Sequence, residues 1–168
     1  MTPPSINPTL DLQLVRVVDV SPDLVWKAYT TPELLKQWFC PRPWTVSHCE
    51  VDLRPGGRFA TTMRSPEGDE FPGEGCYLEI VPARRLVWTN ALQPDYRPVP
   101  AGDPTAENIA VNFSFTAIID LEPEGTGTRY TATVLHADQA SQKKHEEMGF
   151  HGGWSSAFDQ LVALMQNR

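Results

Sequence analysis

The chain has 168 residues with 21 acidic and 14 basic side chains, a net charge of −7, and 40% hydrophobic residues. That length fits one domain with a sizeable core. The acidic balance argues against a phosphate-backbone partner such as nucleic acid, because there is no basic excess to release counterions; and no apolar run reaches the roughly 18 residues of a membrane span.

Residues 1–9 hold three prolines and are expected to form a flexible tail. "MTPPSINPTL" lacks the basic and apolar regions of a secretory signal. Cys40, Cys49 and Cys76 form an odd set with no CxxC spacing. Both features point to a cytoplasmic protein with reduced thiols. His48 beside Cys49 lacks a second ligand pair, so no metal is expected.

"LDLQLVRVVDV", 10–20, alternates as a half-buried strand does, with Arg16 on the apolar face. Ser21-Pro22 and Thr31-Pro32 each read as an N-cap followed by proline at the first helical position. They predict short helices over 22–29 and 32–38. A DNA-binding helix-turn-helix is disfavoured by the acidic balance. Strands follow near 44–53, 57–65, 71–81 and 84–91, separated by "RPGGR", "SPEGDE" and "VPARR".

The segment 92–108 has four prolines and no periodicity, and reads as a functional loop, such as a lid, or as disorder. The runs 109–121 and 129–136 alternate cleanly and predict an antiparallel pair. From Asp138, an N-cap candidate, Met148, His151, Trp154, Phe158, Leu161 and Met165 recur at helical spacing. Gly149, Gly152 and Gly153 interrupt this stretch. They permit close approach of the backbone to the sheet or leave room beside Trp154, or else they end one helix and begin another.

One strand, two short helices, six strands and a long helix read as α+β in a single domain over 10–168. A curved antiparallel sheet of about seven strands can bury its concave face against the C-terminal helix and leave a gap between them. The chain resembles the activator of heat-shock-protein-90 ATPase homologue family, within the START-like, birch-pollen-allergen-like (SRPBCC) superfamily. The resemblance is carried by "RVVDVSPDLVWKAYTTPELLKQWF", "EVDLRPGGRF", "GEGCYLEIVPARRLVWT" and "HEEMGFHGGWSSAFDQLVAL". It implies the helix-grip fold with a deep cavity. Superfamily members bind lipids, sterols or polyketides, and some cyclise or hydrate them. The family name implies a heat-shock ATPase partner.

The expected ligand is an apolar or amphipathic small molecule, with no cofactor. The expected lining is Phe59, Trp88, Phe113, Phe115, Tyr130, His136, His151, Trp154 and Phe158. If the protein is a cyclase or dehydratase, His136, His151 and Glu74 are the candidate acid and base groups. The plainer account is structural: Arg16 paired with Glu50 or Glu74, and histidines satisfied by backbone. An exposed edge strand would also allow a homodimer.

Overall fold

The structure, a computed structural model, describes residues 2–100, 113–166 and 168. Seven strands form one antiparallel sheet: β1 (Asp11–Val18), β2 (Thr45–Val51), β3 (Arg58–Arg64), β4 (Glu70–Val81), β5 (Arg85–Thr89), β8 (Phe115–Glu124) and β9 (Gly127–His136). Their order is β1-β9-β8-β5-β4-β3-β2. Two short strands, β6 (Leu92–Gln93) and β7 (Arg97–Pro98), make a separate ribbon. The ribbon occupies the first part of the expected loop 92–108; residues 101–108 lie outside the described residues, as do Ile109 and Val111 of the expected strand face.

Helices α1 (Pro22–Thr30) and α2 (Pro32–Trp38) lie where the two Ser/Thr-Pro pairs predict them. The Ser21 hydroxyl accepts from the Leu24 N–H, while Thr31 makes no side-chain cap bond. The pair packs on itself through the indole of Trp38, which donates to the Ala28 carbonyl at 3.0 Å.

The C-terminal stretch is two helices, α3 (Gln139–Glu147) and α4 (Phe150–Met165). Gly149 sits between them at φ +94°, the left-handed region that favours glycine. The second of the two readings of the glycines therefore holds at Gly149. Gly152 and Gly153 lie inside α4 with little around them: a Cβ on Gly152 meets nothing within 4 Å, and one on Gly153 meets only Pro41 at 3.9 Å. They do not serve close approach to the sheet.

Alternation buries one face of the sheet against α4. Leu86, Ile119, Leu121, Tyr130, Ala132 and Val134 meet Ala157, Phe158, Leu161 and Met165 in one core. Tyr130 stacks on Phe158 with centroids 3.9 Å apart, and its hydroxyl meets that of Tyr29 at 2.7 Å. This contact ties β9, α1 and α4 together.

Arg16 points inward, as its position on the strand implies, but its expected ion pairs do not form. Its guanidinium binds Asp159 at 2.6 Å and the Ser155 hydroxyl at 2.8 Å, both on α4. The strand order explains the correction. β4, which carries Glu74, is four strands from β1, roughly 19 Å at the usual strand spacing, and β2, which carries Glu50, is farther still.

The glycines yield a paired prediction. Gly149→Ala forces a side chain into positive φ and lowers stability by about 1 kcal/mol or more. Gly152→Ala meets no obstruction and raises stability by about 0.5–1 kcal/mol. Urea denaturation followed by circular dichroism checks both signs.

Candidate functional site

A hollow of about 420 Å³ lies between the β3–β4–β5 part of the sheet and the first two turns of α4. Strand register explains which side chains face it. Phe59, Thr61 and Met63 on β3 stand opposite Gly75, Gly73 and Phe71 on β4, and all six line the hollow. Trp88 and Asn90 continue the wall from β5, and Phe150, Gly153, Trp154 and Ala157 close it from α4. At Gly153 the helix presents no side chain to this space. That is the part of the close-approach reading that survives: room beside Trp154.

The aromatic side chains brace one another around the void. Phe59 lies edge-on to Trp88 at 5.3 Å and stacks on Tyr77 at 5.3 Å. Phe39 from the end of α2 meets Phe59 at 5.6 Å. Trp44 and Met148 line the hollow yet are themselves exposed, so they frame its opening. The wall between α2 and β2 is fastened to α4 by Gln160. Its amide donates to the Trp38 and Cys40 carbonyls at 3.1 and 2.9 Å and accepts from the Arg42 N–H at 2.9 Å.

The polar groups of the wall are largely occupied. Asn90 donates to the Phe113 carbonyl at 3.1 Å and accepts from the Phe115 N–H at 2.8 Å, clamping the start of β8. Burial pushes the Cys40 thiol up to about 11, so it is a neutral wall group and a poor nucleophile. Burial also raises Tyr29 well above the ordinary phenol value, with Tyr130 beside it adding to the shift. The two hydroxyls share one hydrogen bond, leaving one phenolic proton without an acceptor among the described residues.

The histidines depart from expectation. His136 is buried, but it stands behind the wall: its Nδ1 meets the Leu10 carbonyl at 2.7 Å, and its Nε2 meets Nδ1 of His145 at 2.9 Å. His145, absent from the expected set, is buried and lines the hollow. Phe113, Phe115, Phe150 and Trp154 surround its ring at centroid distances of 5.0 to 6.2 Å. Burial lowers His136, and burial together with the neighbouring His136 lowers His145 to about 4.

His151 is a correction. It is exposed on the outer face of α4, with Nε2 3.6 Å from the Glu146 carboxylate. Within α4 the buried stripe is Phe150, Ala157, Phe158, Leu161 and Met165; His151 lies at its edge in the first turn, where its ring reaches solvent. Glu74 is a second correction. It lies at the wall between Gly73 and Gly75, but its strand face is the opposite one, and its carboxylate binds Arg58 at 2.6 Å. The expected acid and base trio of His136, His151 and Glu74 is therefore not assembled. Of the expected lining, Phe59, Trp88, Phe115, Tyr130 and Trp154 border the hollow. Phe113 packs over the two histidines, and Phe158 lies beneath Tyr130 in the core.

The family profile described as "Activator of Hsp90 ATPase homolog 1-like protein" matches residues 19–166. A crystal structure of a Nitrosomonas europaea protein is 47% identical, with a TM-score of 0.88, covering 96% of this chain and 97% of its own. A Chromobacterium violaceum protein is 25% identical with a TM-score of 0.70, covering 95% and 98%. A Silicibacter pomeroyi protein shares the fold at 21% identity and a TM-score of 0.66, covering 93% and 97%. A comparison with curated proteins finds no match.

The depressed histidines make stability pH-dependent in a defined direction. A histidine whose pKa falls on folding binds fewer protons folded than unfolded. Its contribution is complete above the unfolded value near 6.5 and is lost as pH falls toward about 4. The urea midpoint is expected to drop between pH 7 and pH 4.5, with His145 costing up to about 3 kcal/mol at the acid limit. His145→Phe should flatten that drop.

Proposed function

Since the chain belongs to the Activator of Hsp90 ATPase homolog 1-like family, we propose that it binds one apolar or amphipathic small molecule in the hollow between the sheet and α4. The observation that carries this reading is the space itself, about 420 Å³ walled chiefly by aromatic side chains. Small-molecule pockets run from roughly 300 to 1,000 Å³, mostly apolar with a few placed polar groups. Filling such a space removes apolar surface from water at about 25 cal/mol per Å². Phe59, Trp88 and Trp154 are the main contact surfaces in this account, and Trp44 and Met148 flank the way in.

A volume-filling substitution separates this function from mere structure. Gly153→Leu projects a side chain toward the hollow from a helical position with only Pro41 nearby. Leucine also suits a helix better than glycine does, so the fold should hold. Native mass spectrometry with a library of neutral hydrophobic compounds is expected to show one molecule per wild-type chain. Gly153→Leu should weaken it at least roughly tenfold, the effect of about 1.4 kcal/mol, with unchanged circular dichroism. Equal binding by both proteins would place the ligand elsewhere, and no binding by the wild type would refute the function.

A further inference from the structure

The two hydrogen-bonded histidines, set edge-on to each other, define what the hollow asks of its guest. The Leu10 carbonyl can only accept, so Nδ1 of His136 carries a proton and donates to it at 2.7 Å. In a neutral ring the other nitrogen, Nε2, is then an acceptor. The group facing it, Nδ1 of His145 at 2.9 Å, must be the donor. By the same rule, Nε2 of His145 is left with a lone pair. This nitrogen has no partner among the described residues, and the His145 ring lines the hollow. The chain of backbone carbonyl, His136 and His145 thus fixes a tautomer and leaves Nε2 of His145 as an acceptor among aromatic rings.

Charge at the wall narrows the class further. No lysine or arginine lines the hollow among the described residues, and the Glu74 carboxylate at its edge is taken up by Arg58. A carboxylate or ammonium guest would enter without a counter-ion, which is costly in an apolar site. Resting on the small-molecule reading just given, we infer that the ligand is a neutral, mainly apolar alcohol or phenol whose hydroxyl donates to Nε2 of His145. His145 is then the specificity-determining residue of the site, and His136 is a positioning residue that acts through it.

Isothermal titration at neutral pH with 2-naphthol, 2-methoxynaphthalene and 2-naphthoate tests the inference. The three share one apolar body; the first offers a hydroxyl, the second accepts without donating, and the third is an anion. Wild-type protein is expected to bind 2-naphthol roughly five- to tenfold more tightly than 2-methoxynaphthalene, the usual effect of one buried hydrogen bond, and 2-naphthoate least. His145→Phe should erase the preference and keep the binding of 2-methoxynaphthalene. Equal affinity of the wild type for 2-naphthol and its methyl ether overturns the hydroxyl assignment and leaves the apolar-ligand reading standing; failure of all three probes to bind overturns both. Should His145→Phe not fold, ¹⁵N NMR of the unaltered protein decides. The account requires a proton on Nδ1 of His145 and an Nε2 resonance that moves with 2-naphthol but not with its ether. A proton on Nε2 instead would overturn it.

Discussion

Tyr130 is the point on which the architecture turns. Its ring lies flat on Phe158 at 3.9 Å and its hydroxyl meets Tyr29 at 2.7 Å, so a single residue of β9 holds both α4 and α1. Arg16 reinforces the same end, reaching from β1 to Asp159 and lying over the Phe158 ring at 5.6 Å. Stacked aromatic pairs contribute about 0.5–1.5 kcal/mol beyond the area they bury.

The other end of α4 does not close the hollow. Gly153 and Ala157 offer little bulk, while Trp154 and Phe150 pack sideways against each other at 5.1 Å. Gln160 anchors the α2–β2 connection to the helix through three backbone hydrogen bonds, which keeps Phe39 and Trp44 as walls and prevents them from collapsing inward. On the sheet side, Gly73 and Gly75 occupy inward positions of β4. A Cβ at Gly75 would also lie 2.7 Å from the Thr89 carbonyl, so this glycine is required by strand packing as well. The void follows from these local constraints together.

Much of the fold is legible in the sequence because it depends on short-range signals. Ser21-Pro22 and Thr31-Pro32 announce two helices, and the alternation through Tyr130, Ala132, Val134 and His136 announces a buried strand face. The errors arise where spacing alone does not settle which face a residue occupies. Spacings of three and seven join His151 to Trp154 and Phe158, but they put it only at the edge of the stripe that Phe150, Ala157, Leu161 and Met165 bury, and in the first turn of α4 that edge is exposed. On β4, glycines at the inward positions leave Glu74 and Cys76 as the more conspicuous pair, and they belong to the other face; a bulge between Tyr77 and Glu79 then breaks the alternation that would carry the reading on to Leu78. His145 is hidden by its neighbours: within "QKKHEE" it looks like part of a solvated surface. Only the structure turns that face inward: Gln142, three residues earlier, binds the Pro8 and Asp11 carbonyls through its amide.

The proposed guest of the space between Trp88 and Trp154 is a neutral apolar molecule that meets His145. Diffraction from crystals soaked with 6-bromo-2-naphthol, recorded at the bromine absorption edge, tests it most directly. A bromine peak inside the aromatic walls, with the naphthol oxygen within hydrogen-bonding distance of Nε2 of His145, is the predicted result. An interior closed by side chains, or bromine bound only on the outer surface, would contradict it.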